Sequence, residues 1–288
     1  MFIYIYKIDI DINFIYINKH YKMRRFIINN FRCMLGQQKC GVQYGGDTII
    51  DNLHNCLTRK NHPIDINNIS IHKCSDYRKG YNAVKQNLNK GYFNLNLGGD
   101  HSISAATIQP LVEKYKEDLL VIWIDAHADL NTYETSKTKN LHGMPLGALM
   151  GLMDHWYNVR NKQIHLNPEN LMYVGIRDLD DFEKKTIEER GISNIPTYTS
   201  EIRNIIDRHP AKYIHISCDI DSLDPLLAPS TGTAVPNGLS VKNVLNIISI
   251  ASSRLVSFDL VEFNPLIGNK QKVKTTMGNI NRILTKVL

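Results

Sequence analysis

The chain has 288 residues, of which 43% are hydrophobic and 22% charged, a globular balance that excludes wholesale disorder, a collagen-like fibre and a polytopic membrane protein. Its 34 Lys and Arg against 28 Asp and Glu leave a formal +6, spread along the chain rather than gathered into a basic tract, so no nucleic-acid partner is expected. Five cysteines, Cys33, Cys40, Cys56, Cys74 and Cys218, form an odd set without a CxxC pair; this argues against a disulfide framework or a thiolate zinc site and for a reducing, cytoplasmic compartment.

At the start of the chain, MFIYIYKIDIDINFIYINKHYK sets Lys7, Asp9, Asp11 and Asn13 among Ile and Tyr. Those residues interrupt any membrane span, and the segment lacks the basic start and small-residue cleavage site of a secretory signal. Residues 1–22 are expected to be an appendage, with Met23 before Arg24 and Arg25 an alternative start, and residues 23–288 a single domain.

Further along, FNLNL at 93–97, LLVIWID at 119–125, LMYVGI at 171–176, YIHIS at 213–217 and LVSFDLVEF at 255–263 predict buried strands. Between them SISAATIQPLVEKYKEDL, HGMPLGALMGLM, DLDDFEKKTIEERG and SVKNVLNIISIASS have the apolar spacing and polar starts of amphipathic helices. Strand and helix in turn imply parallel crossovers, hence a single-domain, three-layer α/β/α fold with a mainly parallel sheet. Ligands in such sheets bind beyond the carboxyl ends of the strands.

Three of the apolar runs end in acid and imidazole: GGDHS at 98–102, DAHADLN at 125–131 and SCDIDSLDP at 217–225. In extended chain, side chains alternate faces, so Asp125, His127 and Asp129 are expected on one side together, as are Asp219 and Asp221. Gly98 and Gly99 permit a tight turn that swings His101 over the same crest. Four carboxylates with two neutral imidazoles carry a charge of about −4, prohibitive in a partly buried pocket unless two divalent cations neutralise it. An oxygen-rich set with a minority of imidazole suits Mn²⁺ better than a thiolate-seeking metal. A metal pair that shares a water lowers its pKa and delivers hydroxide near neutral pH, so hydrolysis is the expected reaction class. Asp100 reads as support for His101, and Asp224 before Pro225 as turn chemistry.

Taken in order over about residues 93–280, GGDHS, DAHADLNT, NLHGMPLG, SCDIDSLDP, TGTAVPNGLS and DLVEFNP resemble the ureohydrolase family, its arginase branch most closely. The resemblance implies an arginase-like fold, two Mn²⁺ per chain, hydrolysis of L-arginine to L-ornithine and urea by a metal-bridging hydroxide, and a trimeric or hexameric homo-oligomer. It further implies that His101, Asp125, Asp129 and Asp219 hold one manganese, and that His127, Asp125, Asp219 and Asp221 hold the other. Asp129 would also orient the hydroxide. Glu262 matches the carboxylate that pairs with the planar guanidinium. His142 matches a proton shuttle, a task suited to an imidazole pKa near about 6.5.

At the amino-acid end, the same resemblance gives Asn131, Thr138 and Asn140 to the α-carboxylate loop, Asp180 and Glu183 to the α-amino group, and Thr233 to the pocket wall. DLDDFEKK also reads simply as an acidic helix start. Two departures stand out. GQQKCGVQYGGD keeps only part of the family's early glycine-rich segment, with Gly46 where proline is common, and Lys137 and Lys139 add charge to the substrate loop, either to favour a carboxylate or to face solvent. The rival readings are another guanidino hydrolase such as agmatinase, which shares every metal ligand, and a non-catalytic relative, disfavoured because all six ligands, Glu262 and His142 are present.

Overall fold

The computed structural model describes residues 25–57, 65–153 and 164–288; the appendage at 1–22 and the alternative start at Met23 lie outside them. Strands and helices alternate: β1 (Phe26–Cys33), α1 (Gly45–Leu57), β2 (Asp65–Ile71), α2 (Tyr77–Asn89), β3 (Phe93–Leu97), α3 (Ser104–Tyr115), β4 (Leu119–Ile124) and α4 (Pro145–Leu149). There follow β5 (Leu171–Val174), α5 (Asp181–Arg190), β6 (Ser193–Ile195), α6 (Glu201–Arg208), β7 (Tyr213–Asp219), α7 (Val241–Ala251), β8 (Leu255–Val261) and α8 (Lys270–Val287). The strands form one sheet in the order β2-β1-β3-β8-β7-β4-β5-β6, and every neighbouring pair is parallel.

Parallel pairing requires long crossovers, which lay helices on both faces. Strand β4 illustrates the result. Its Leu120, Ile122 and Ile124 join a core with Ile202 of α6, Val244 of α7 and Ile283 of α8, while Leu119, Val121 and Trp123 pack with Leu88 of α2, Ile108 of α3 and Ile187 of α5. A strand apolar on both faces therefore sits in the middle of three layers, as expected from its sequence. Among the described residues no helix is long and apolar enough to cross a membrane.

The strands β1, β3, β8 and β7 depart from this pattern on one face. Asn29, Asn94, Asn96, Asp259 and Ser217 are all fully buried. Burial of such groups is tolerable only when they bond one another. Asn29 Nδ2 donates to Asn94 Oδ1 (3.0 Å) and Asn96 Oδ1 (2.8 Å), and Asn96 Nδ2 to Asp259 Oδ1 (2.6 Å). Thr107 of α3 adds its hydroxyl to Asp259 Oδ2 at 2.5 Å. This polar seam crosses the sheet and ends beneath the loops that follow β3, β4, β7 and β8, four neighbouring strand ends.

The turn after β3 is crowded. Gly98 has φ 77°, and a Cβ there would sit 2.3 Å from the backbone nitrogen of Gly46; one on Gly46 would lie 2.8 Å from the carbonyl of Leu97. The start of α1 thus abuts the end of β3, which explains a glycine at position 46 on steric grounds.

Candidate metal centre and substrate cavity

The acid and imidazole residues converge, but not by strand alternation. Strand β4 stops at Ile124 and β7 at Asp219. Beyond them Asp129 adopts φ 49°, a left-handed geometry that Asp tolerates better than most side chains, and Asp221 lies in a 3-10 turn over Ile220–Ser222. Each strand-end carboxylate clamps its own turn: Asp125 Oδ1 accepts from the His127 backbone N–H (2.8 Å), and Asp219 Oδ1 from that of Asp221 (2.7 Å). The other oxygens face the centre, where Asp125 Oδ2, Asp129 Oδ2 and Asp219 Oδ2 lie 2.9, 3.1 and 3.4 Å from His101 Nδ1.

That nitrogen is fully buried and has no aligned hydrogen-bond partner among the described residues. On the other side His127 Nδ1 lies 3.5 Å from Asp125 Oδ1 and 3.2 Å from Asp221 Oδ2. Two candidate metal-binding clusters result, His101 with Asp125 and Asp219, and His127 with Asp125 and Asp221, the donor atoms within each lying no more than 4.8 Å apart. Asp125 belongs to both.

Without a cation these groups restrain one another's charge. Burial, with the neighbouring charge of Asp125, pushes the Asp129 carboxyl up to about 6, and burial with Asp221 and Asp125 holds the Asp219 carboxyl well above its usual range. Burial opposes a charge on His127, yet Asp125 and Asp221 raise its imidazole to about 12. Protons thus occupy a centre whose donors, an orphaned imidazole nitrogen among carboxylate oxygens, fit divalent cations. Metal uptake must expel those protons and strengthens as pH rises.

The polar seam supports the centre from below. His101 Nε2 is 2.9 Å from Ser217 Oγ, which lies 3.2 Å from Ser104 Oγ, and Ser104 donates to Asp259 Oδ2 at 3.3 Å. With Nε2 donating downward, Nδ1 is the nitrogen left facing the carboxylates, which hold a proton on it in the absence of a cation; its lone pair becomes available to a metal once that proton leaves. The His101 ring also stacks on Trp123, centroids 4.0 Å apart. Ser217→Ala is expected to weaken metal binding by about tenfold or more, measured by competition with a chelator; unchanged affinity would show that Ser217 only packs.

Above the centre opens a cavity of about 290 Å³. His127, Asp129 and Asp219 form its floor, and Asn131, Thr138, Asn140, His142, Asp180, Glu183 and Thr233 line its walls. Thr233 donates to Asp221 Oδ2 at 2.8 Å. Asp180 and Glu183 form the capping box that starts α5, so the helix-start reading holds as well. Asn131 Nδ2 donates to Asp180 Oδ2 at 2.7 Å, joining the two walls. Burial, with Asp180 and Asp129 nearby, pushes the Glu183 carboxyl up to about 7.

The two lysines of the loop part company. Lys139 turns back on its own loop: its Nζ donates to the carbonyls of Tyr133 and Glu134 and lies 4.9 Å from the Tyr133 ring centre. Lys137 is exposed and lines the cavity.

Glu262 is brought to the site but lies beneath it, 1% exposed and at φ 64°. Its Oε1 accepts from the His101 backbone N–H (2.9 Å) and stands 3.0 Å from His142 Nδ1, while Oε2 accepts from Gln37 Nε2 at 2.7 Å. This contact shifts the imidazole of His142: burial lowers its pKa, but Glu262 outweighs burial and raises it to about 9. Gln37, Ser217 and Asp259 escaped sequence reasoning, because their partners lie far away in the chain. Asp100 accepts from the backbone N–H groups of Gly36 and Ser102, and Asp224 from those of Leu226 and Gly238, so both hold turns.

Comparison with known proteins agrees with this geometry. The chain is 39% identical over 234 residues to an arginase of Plasmodium berghei, covering 74% of this chain but only 64% of that protein's length. The crystal structure of an arginase from Bacillus subtilis superimposes with a TM-score of 0.80 at 31% identity, over 91% of this chain and 98% of that one. An Entamoeba histolytica arginase solved in complex with L-ornithine gives a TM-score of 0.76 at 27% identity, over 90% of this chain and 97% of that one. The family profile described as "Arginase family" spans residues 26–287, and on that match, the sheet order and the paired acid and imidazole clusters, this chain belongs to the arginase family.

Proposed function

We propose that the chain is a manganese-dependent arginase, which hydrolyses L-arginine to L-ornithine and urea. What carries the reading is a cavity whose floor is a double carboxylate and imidazole cluster and whose far wall holds the acid pair Asp180 and Glu183. His101, Asp125, Asp129 and Asp219 would hold one manganese and His127, Asp125, Asp219 and Asp221 the other, with Asp125 and Asp219 in both sets. When bound, such a pair supplies an acidified water as nucleophile near neutral pH.

The chain's own residues do the rest. Glu262 lies beneath the cavity and is linked to it through His142; its carboxylate, with both oxygens fixed by donors, would be the anion that pairs with a planar guanidinium and holds its carbon over the floor. Asp129 orients the nucleophile. His142, at a pKa of about 9, carries a proton at neutral pH; as water adds to the guanidinium carbon and the bond to the ornithine nitrogen breaks, that proton goes to the leaving amine, and the protons shed by the water leave to solvent, from which His142 is recharged. Asn131, Thr138 and Asn140 donate to the α-carboxylate, Asp180 and Glu183 accept from the α-ammonium, and Thr233 steadies Asp221. The domain over residues 23–288 would act in the cytoplasm as a trimeric or hexameric homo-oligomer.

Agmatine lacks the α-carboxylate, so the wall decides between the two substrates. Lys137→Met is expected to raise KM for arginine about twofold to fivefold, the worth of an exposed ion pair, and to leave KM for agmatine unchanged. Urea release from both substrates by the manganese-loaded protein tests the assignment. Turnover of agmatine equal to or above that of arginine would make the protein an agmatinase on the same metal chemistry. Two bound manganese ions without urea from any guanidino compound would make it a binding protein.

A further inference from the structure

The strap that follows β1 ties together several of the turns around the centre. The Gly36 backbone N–H donates to Asp100 Oδ2 (2.9 Å), and the Gly36 carbonyl accepts from the His142 N–H (3.1 Å). Further on, Asn264 Nδ2 donates to the Cys40 carbonyl at 3.1 Å. There is no slack at its start, since a Cβ on Gly36 would lie 2.8 Å from the backbone nitrogen of His142. Between these anchors Gln37, only 7% exposed, sends its amide to Glu262 Oε2.

We propose that Gln37 is a positioning residue which fixes the orientation of the Glu262 carboxylate for a guanidinium; this rests on the reading of Glu262 as the substrate's anionic partner. The two oxygens of Glu262 are held differently. Oε1 is shared between the His101 backbone and His142, a side chain 17% exposed that borders the cavity. Oε2 has Gln37, from a strap whose backbone is anchored on either side. When His142 gives up its proton during turnover its grip on Oε1 weakens, and the amide of Gln37 remains to keep the carboxylate plane from rotating.

The residue type matters as much as the contact. A lysine or arginine at this position would also donate to Oε2, but its charge would neutralise the carboxylate and remove the attraction for a cationic substrate. An amide is a neutral donor, which orients an anion without quenching it. Glutamine also spans the gap that a shorter side chain from this strap would leave, with an unfilled place beside a buried carboxylate.

The variant that tests the idea is Gln37→Met, close in length and shape but without the donor, with Gln37→Ala as the second. The readouts are kcat and KM for L-arginine, the inhibition constant of L-ornithine, manganese content and thermal midpoint. L-Ornithine keeps the amino-acid end of the substrate but has no guanidinium. Gln37→Met is expected to lower kcat/KM for arginine by about tenfold to a hundredfold, with ornithine inhibition within about twofold of wild type and manganese content unchanged. Arginine kinetics within twofold of wild type in both variants would overturn the proposal alone. Equal weakening of arginine and ornithine with loss of manganese would overturn it in favour of a purely structural strap. Absence of urea release by the wild-type protein would instead overturn the arginase reading, and this proposal with it.

Discussion

Replacing Asp219 by Asn is expected to invert the effect of pH and metal on stability. In the metal-free protein burial, with Asp221 and Asp125 beside it, holds the Asp219 carboxyl well above its usual range. The folded state then keeps a proton that the unfolded chain has already released, so the stability of the metal-free protein falls as pH rises above the unfolded carboxyl value of about 3.9. Asparagine has no proton to lose. Metal-free Asp219→Asn should therefore melt above wild type, by a margin that widens from pH 5 to pH 8. With manganese the order reverses: wild type gains about 4 kcal/mol when the ion is at a thousand times its dissociation constant, and a variant short of a ligand gains much less. Urea production should fall by about a thousandfold, roughly 4 kcal/mol of lost transition-state stabilisation. Melting curves with and without manganese, across pH, check both arms. Equal metal-induced stabilisation of the two proteins would remove Asp219 from the ligand set.

The second large effect is expected at Glu262. Glu262→Gln keeps the shape and removes the charge, leaving the guanidinium without a counter-ion in a buried site. Breaking such a pair costs about 3–5 kcal/mol, so kcat/KM for arginine should fall by about 10² to 10⁴, while manganese content stays at the wild-type level. A signature follows at His142. Glu262 is what lifts that imidazole to about 9 against the opposing effect of burial. A raised folded-state value adds stability that is fully present below the unfolded value of about 6.5 and lost as pH climbs through about 9. In Glu262→Gln that contribution should vanish, so the stability difference between the two proteins is greatest near pH 6 and shrinks toward pH 10. Denaturant unfolding of the metal-free proteins at those two pH values measures it. Wild-type kcat/KM in the variant would place the guanidinium elsewhere.

The sequence disclosed the centre of the sheet because apolar runs such as LLVIWI can only be buried on both faces. It disclosed the candidate ligands because they stand in pairs and trios at the ends of such runs. It hid the flank formed by β1 and β2. FIINNFRC and DINNISI are rich in asparagine, and whether an asparagine is buried depends on partners in other strands, such as Asn29 with Asn94 and Asn96, 65 and 67 residues away. The three-residue β6 carries too little pattern to recognise. The convergence of ligands was expected for the wrong physical reason, since Asp129 and Asp221 sit in turns that the strand-end carboxylates of Asp125 and Asp219 clamp. Gln37 is 225 positions from Glu262, and Ser217 is 116 from His101. Neither segment alone says that the two will meet.

All of this depends on whether a buried group of carboxylates is held in place by two doubly charged cations. The most direct test is calorimetric titration of the metal-free protein with Mn²⁺, with urea release from L-arginine followed at each ratio of metal to chain. Binding should saturate at about two ions per chain, with urea release appearing as the ions bind. Saturation at one ion or fewer per chain, or full activity in protein stripped of metal, would contradict it.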